Sequence, residues 1–211
     1  IVLVDRPNSP QSVIVGGRGL PLKGTDRDME ALDLANEVLG NGFLSRLNAD
    51  LREDKGWSYG VSSFVRQPLG ERSLLVLAPV ETPRTGAAIA AILADMKALA
   101  SDRPVTPEEV QRVTEGNVRG LPNRYESNAQ VLDAIVLNQR LGRSDDYTAT
   151  LPARLGAVGA EALNQAARRY FHPEGLSFIV VGDAAVVGPQ LKGLGLPVEM
   201  ADSKATTQPR E

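Results

Sequence analysis

The stretch Leu39-Gly40-Asn41-Gly42-Phe43-Leu44-Ser45-Arg46-Leu47-Asn48-Ala49-Asp50-Leu51-Arg52-Glu53-Asp54-Lys55-Gly56-Trp57-Ser58-Tyr59-Gly60 carries the reading of this chain. A Gly-Asn-Gly turn opens a short helix over about 44–54, with Leu44, Leu47 and Leu51 on one stripe. Gly56 ends that helix, and Trp57–Val65 alternates with Trp, Tyr, Val and Phe, which predicts a strand. Arg72–Pro79 is its expected antiparallel partner across the Pro68-Leu69-Gly70 turn. Upstream, Asp26–Leu39 predicts a helix capped by Thr25 or Asp26 and stopped at Gly40 by a left-handed cap.

Outward from this stretch, Ile1–Val4 and Gln11–Gly17 read as strands, the second leaving through a flexible Gly16, Gly17 and Gly19. Lys23-Gly24-Thr25 inverts the order that a phosphate-binding loop needs. Downstream, Thr85–Ala100 predicts an Ala-rich helix. Thr106-Pro107-Glu108-Glu109 is a capping box with Pro at the first helical position, and Val105 and Val110 are placed as a hydrophobic staple. Ser127-x-x-Gln130 opens another helix, and 147–155 and 160–171 give two more. Leu176–Gly182 is a final strand. Hairpins with a helical block between strands predict an α+β, two-layer fold, a mostly antiparallel sheet with helices packed on one face. Residues 1–200 are expected to form one domain and 201–211 a frayed polar tail.

The chain has 211 residues, no cysteine, one histidine and a net charge of −3. No cysteine excludes disulfides, thiolate zinc sites and cysteine nucleophiles. A single imidazole, His172, cannot supply a His-Glu-x-x-His type of motif, and its place at a helix end predicts a capping role. Nucleic-acid binding would need a basic stripe, and none is present. The longest apolar runs, 73–79 and 178–181, are far shorter than the ~20 residues of a membrane-spanning helix. No signal peptide is read, and a first residue Ile1 rather than Met leads us to expect a processed or excised product. The carboxylates Asp50, Glu108, Glu109, Asp145 and Asp146 read as surface or helix-start charges, with Arg46 and Asp50 an i,i+4 pair.

Arg52 and Tyr59, seven positions apart across the helix-to-strand corner, are the remaining candidates for chemistry. Together they would offer a guanidinium and a phenol to a peptide carbonyl or a carboxylate. Alternatively, Arg52 pairs with a local acid and Tyr59 covers the sheet rim.

The run Leu39–Leu47 continuing through Leu51–Gly60 resembles the C-terminal half of pitrilysin/insulinase-type zinc metallopeptidases, the inverzincins and their processing-peptidase relatives. The resemblance takes in the Val105–Glu109 helix start, the Gly120-Leu121-Pro122 stop and the Ile179–Asp183 strand. It implies one of two similar α+β halves that face each other as a clamshell. The other half would carry the zinc, and this chain has no residues for the zinc motif. The resemblance further implies that Arg52 and Tyr59 reach the substrate backbone opposite that zinc, Arg52 as a carbonyl clamp and Tyr59 as an oxyanion donor. Cofactors are expected to be none in this chain. The implied partners are a zinc-bearing homologous half and a peptide substrate, with neither nucleic acid nor a transmembrane segment involved, and a periplasmic location is favoured. Two other readings remain: a structural core subunit of the same fold without proteolysis, and a stand-alone peptide-binding domain.

Overall fold

A computed structural model of the chain describes residues 1–26 and 29–201. Its sheet has six strands in the order β3-β4-β2-β5-β1-β6, where β1 is Val2–Asp5, β2 Gln11–Lys23, β3 Ser62–Arg66, β4 Glu71–Glu81, β5 Ser177–Gly182 and β6 Glu199–Met200. The ladders β3·β4, β4·β2 and β2·β5 are antiparallel, and β1 runs parallel to both β5 and β6. Strict alternation sends Ile14, Leu74, Val76, Ala78, Val80, Phe178 and Val180 to one face, where all are buried. Helices build the core over it: α1 Glu30–Leu39, α2 Arg46–Asn48, α3 Thr85–Ala100, α4 Pro107–Gly120, α6 Tyr147–Gly156, α7 Ala160–Tyr170 and α8 Ala184–Lys192, while α5 Asn128–Arg140 buries no residue and lies outside that core.

The sequence-predicted elements recur with informative differences. β2 does not loosen at its glycines but pairs with β4 through Leu20, because the Phe178 ring lies over Gly16 where a side chain would otherwise stand. Helix α1 starts four residues later than expected. Asp26 accepts the Lys23 N–H at 2.7 Å in a turn, and Met29 at the helix start offers no side-chain cap. The stop at Gly40 is not left-handed, with φ of −160°. Glycine is required there by close approach instead: a Cβ would stand 2.6 Å from Ser63 Oγ and 2.9 Å from the Leu47 side chain. Gly56, at φ +64°, is the true left-handed stop. Both capping boxes form. Helix α8 went unread, since Gly188 and Pro189 lie inside it. Val187 and Leu191, both fully buried, hold it by packing, and Asp183 caps it. Of the expected frayed tail, Ala201 donates to the Leu3 carbonyl at 2.8 Å, and the rest lies outside the described residues.

Candidate functional site

The site begins where α1 ends. Leu47 and Leu51 are fully buried, and each such side chain contributes roughly 1.5–3 kcal/mol to the packing. They fix a helical segment that changes pitch. After α2, residues Ala49–Asp54 wind as a π-helical turn, with the Lys55 N–H reaching Asp50 O at 3.0 Å. Widened turns of this kind are rare and frequent at functional sites. This one carries Arg52. The expected strand Trp57–Val65 splits: 62–66 is strand, and Trp57–Val61 is a loop that carries Tyr59. Serine and glycine at 58 and 60 favour local side-chain-to-backbone bonds over a ladder.

Arg52 and Tyr59 line one open depression of about 310 Å³, together with Gly40, Asn41, Gly42, Phe43, Asn48 and Gly60. The Arg52 guanidinium lies 4.0 Å from the Phe43 ring centroid and 3.3 Å from the Glu53 carboxylate. Phe43 is itself two-thirds exposed, so the stack holds Arg52 at the surface without burying its charge. Tyr59 is 92% exposed, and among the described residues its hydroxyl has no hydrogen-bond partner. The local-acid reading of Arg52 is thus met in part by Glu53, whereas Tyr59 covers nothing.

The edge of β3 nearest this depression is occupied at Val61, just before the strand, and at Ser63 within it. Asn48 engages both backbone groups of Val61, accepting its N–H at 2.9 Å and standing 2.8 Å from its oxygen through Nδ2. Ser63 donates its N–H to Gly40 O at 3.0 Å and accepts from Asn36 Nδ2 at 3.1 Å. At these two residues the Asn48 and Asn36 side chains and the Gly40 carbonyl therefore occupy positions that a further strand would take.

Charged contacts anchor the segment from below. Arg46 does not pair with Asp50 as expected. It forms a fork on Glu109, at 2.8 and 2.7 Å, and also bonds the Arg103 and Pro104 carbonyls. Burial pushes the Glu109 carboxyl up, but Arg46 and the Thr106 N–H more than reverse this and hold it below its ordinary value. Asp50 pairs with Lys55 instead. Beneath, on α3, Asp95 is raised by burial and then by Asp50, despite its 2.8 Å bond to Arg103. A second cavity, about 410 Å³, lies along α1 and β3 and meets the depression at Asn41. On its wall Asp33 is raised to about 6, by burial first.

Sequence reasoning missed Phe43 and Asn48. Phe43 stood in the quoted stretch as an aromatic residue off the Leu stripe, and Asn48 as a polar residue beside Leu47 in a short helix.

His172 does not bond a helix carbonyl. Its ring nitrogens lie 3.0 and 3.1 Å from the Arg18 guanidinium, and Nδ1 is also 3.0 Å from Glu174. An arginine against both nitrogens is hostile to a cation, and among the described residues no three His, Asp or Glu side chains converge. The described residues offer no group that fits a zinc ion. Among the described residues no helix is long and apolar enough to cross a membrane.

Comparison with known proteins gives the fold a context. The profile of the "Peptidase M16 inactive domain" family matches residues 1–117. The structure of a peptidase M16 inactive domain from Pseudomonas fluorescens superposes with a TM-score of 0.77 at 17% identity, covering 86% of this chain and 43% of that one. The inactive peptidase domain of a proposed zinc protease from Bordetella parapertussis gives 0.68 at 20% identity, covering 80% and 90%. The periplasmic protease PqqL from Escherichia coli gives 0.69 at 19%, covering 86% and 20%. No curated protein sequence matches the chain. The chain thus spans under half the length of the Pseudomonas protein.

Proposed function

The chain belongs to the peptidase M16 inactive-domain family, and from that premise we propose that it is the non-catalytic half of a zinc metalloendopeptidase, working opposite a homologous half that carries the metal. Arg52 and Tyr59 are the residues through which it acts. The observation that carries this reading is their shared depression, with a guanidinium pre-stacked on Phe43 and a phenol that is 92% exposed and has no hydrogen-bond partner among the described residues. A phenol without an internal partner is free to donate to an external carbonyl oxygen.

In this reading a peptide lies across the mouth of the depression. Arg52, permanently charged, clamps a backbone carbonyl. Tyr59 donates to the scissile carbonyl oxygen as negative charge develops there, and loss of such a donor costs on the order of 10²–10³ in rate. The occupied backbone groups of Val61 and Ser63 beside the depression support recognition there by these side chains rather than by strand addition. In this reading the zinc belongs to the partner half, which is supported by the lack of any metal-binding group among the described residues. A periplasmic location is part of the proposal and is supported by the likeness to PqqL.

The test is reconstitution of this chain with a zinc-bearing M16 half and measurement of peptide cleavage. Cleavage is expected only in the mixture, with Tyr59→Phe and Arg52→Ala each lowering kcat/KM about 10²-fold. Full activity of both variants would remove the assigned roles. Zinc-dependent cleavage by this chain alone would remove the reading of an inactive half. A structural subunit would show assembly without cleavage.

A further inference from the structure

Among the described residues no hydrogen bond holds the Tyr59 hydroxyl, so the backbone that carries it governs its place relative to Arg52. We infer that Asn48 is a positioning residue for this pair. Its carboxamide ties the main chain just beyond Tyr59 to the helical turn that holds Arg52, and so fixes the spacing between guanidinium and phenol. This rests on the reading of Arg52 and Tyr59 given above and extends it to a residue that contacts neither substrate nor metal.

The geometry is specific. Asn48 is the last residue of α2 and immediately precedes the π-helical turn, four residues before Arg52. Its side chain is 93% removed from solvent, with residue exposure of 7%. Oδ1 accepts the Val61 N–H at 2.9 Å, and Nδ2 stands 2.8 Å from Val61 O, 3.0 Å from Gly42 O and 3.1 Å from Ser45 Oγ. One amide thus satisfies both polar groups of Val61, as a neighbouring strand would. It also holds the Gly42 carbonyl at the opposite rim of the depression. Val61 lies two residues after Tyr59. On the other side of the tyrosine, Ser58 Oγ lies 2.5 Å from the Pro79 carbonyl oxygen on β4 and accepts the Gly60 N–H at 3.1 Å. The exposed tyrosine is therefore carried on a two-residue span, Tyr59-Gly60, pinned at both ends by Ser58 and Val61.

Those pins serve geometry as well as stability. Water bonds the same groups in the unfolded chain, so the net gain from each bond is modest, whereas an apolar replacement leaves the Val61 N–H and C=O without partners. The loop then moves to regain water. An active site that depends on a donor placed to within a fraction of an ångström loses up to about 10²-fold in rate on a 1 Å displacement.

The chain has no cysteine, so a nitroxide on Tyr59→Cys reports the mobility of this one position in the full chain. The expected result is a label whose motion is ordered by a rigid backbone in the parent and clearly faster with Asn48→Ala, together with loss of exchange protection at the Val61 amide. Asn48→Asp keeps the acceptor for that amide and discards the donor, so Val61 should stay protected and the label should show intermediate mobility. Asn48→Asp also keeps the test valid should Asn48→Ala fail to fold. The control is Asn36→Ala, which removes the equivalent amide contact to Ser63 further along β3. It should lower Tm while leaving the label at position 59 as ordered as in the parent. Equal loosening of position 59 by Asn36→Ala and Asn48→Ala at matched loss of Tm means a merely structural role and overturns the inference, as does a label in Asn48→Ala as ordered as in the parent.

In the reconstituted peptidase with Tyr59 present, Asn48→Ala should lower kcat about 10-fold or more and change KM much less, because the misplaced donor acts as charge develops. If Arg52→Ala and Tyr59→Phe reduce cleavage and Asn48→Ala does not, the positioning role fails and the functional reading stands. If the Arg52 and Tyr59 variants cleave normally, the reading itself fails, and the label and exchange data still show whether Asn48 anchors the loop.

Discussion

Asp33 faces the cavity beside β3, and there burial outweighs the attraction of Arg72, so its carboxyl titrates near 6 rather than 3.8. Gln67 donates to it at 3.2 Å. A raised native pKa has a definite consequence for stability. Below pH 3.8 the group is protonated in both states and contributes nothing. As pH rises from there through 6, the unfolded chain releases the proton first and stability is lost, with the full cost in place above pH 6. Asp33→Asn keeps the acceptor for Gln67 and removes the buried charge. It should therefore stabilise the chain by on the order of 1–3 kcal/mol at pH 8 and by almost nothing near pH 4, measured by urea unfolding at both. A gain that is the same at both pH values would show that charge burial is not its source. The residue scale was only partly legible in the sequence. Arg52 and Tyr59 stood out by type and spacing. The burial of Asp33 depends on helices more than eighty residues away, and no local pattern announces it.

The site's supporting element is the segment from Gly40 to Asp54, and two contacts decide its position. The first is the fork of Arg46 on Glu109, both largely buried, which joins α2 to the capped start of α4. Removing one partner of such a pair strands the other, so Arg46→Ala should cost about 3–4 kcal/mol in chemical denaturation. Arg46→Lys cannot reproduce two parallel bonds and should recover less than half of the loss. Because Glu109 is held below its ordinary value, this support should fade as pH falls through its native pKa and the carboxylate protonates. The second contact is the close approach at Gly40. Gly40→Ala should cost about 1–3 kcal/mol, since Ser63 lies in a strand and Leu47 in the core and neither can yield freely. The sequence places this glycine at a helix stop but assigns it a left-handed conformation, because helix ends favour that cap. The actual constraint comes from β3, twenty-three residues away. Capping boxes at Thr106 and Ser127 were legible because their whole mechanism lies within four residues. The π-helical turn was not, since 3.6- and 4.4-residue windings share the same Leu47 and Leu51 stripe over so short a span.

At the scale of the whole molecule, the sheet has one face under helices and one without them. Alternation that buries Ile14, Val76 and Val180 completely leaves Val13, Leu77 and Ile179 on the other side, exposed by 37, 39 and 50%. The register aligns Leu77 with Val15, Val15 with Ile179 and Ile179 with Val2, giving an apolar row across four strands. This pattern explains why the α+β class and helices on one face could be read from the chain while the strand order could not. Alternation labels faces, but the parallel insertion of β1 between β5 and β6 is a choice among edges that no single strand encodes. The two faces should respond oppositely to substitution. Val180→Ala opens a void in a packed interior and should cost about 2–3 kcal/mol, while Ile179→Thr, one position along, should cost under about 1 kcal/mol. An apolar row open to water should also bind a solvatochromic dye in the native state, and Ile179→Lys should weaken that fluorescence without lowering the unfolding midpoint by more than a small amount. Dye binding unchanged by Ile179→Lys would place the exposed apolar surface elsewhere, on α5, where Leu132 and Ile135 also stand more than half exposed. The paired substitution Leu132→Lys with Ile135→Lys separates the two surfaces, and the row predicts that this pair leaves most of the signal in place.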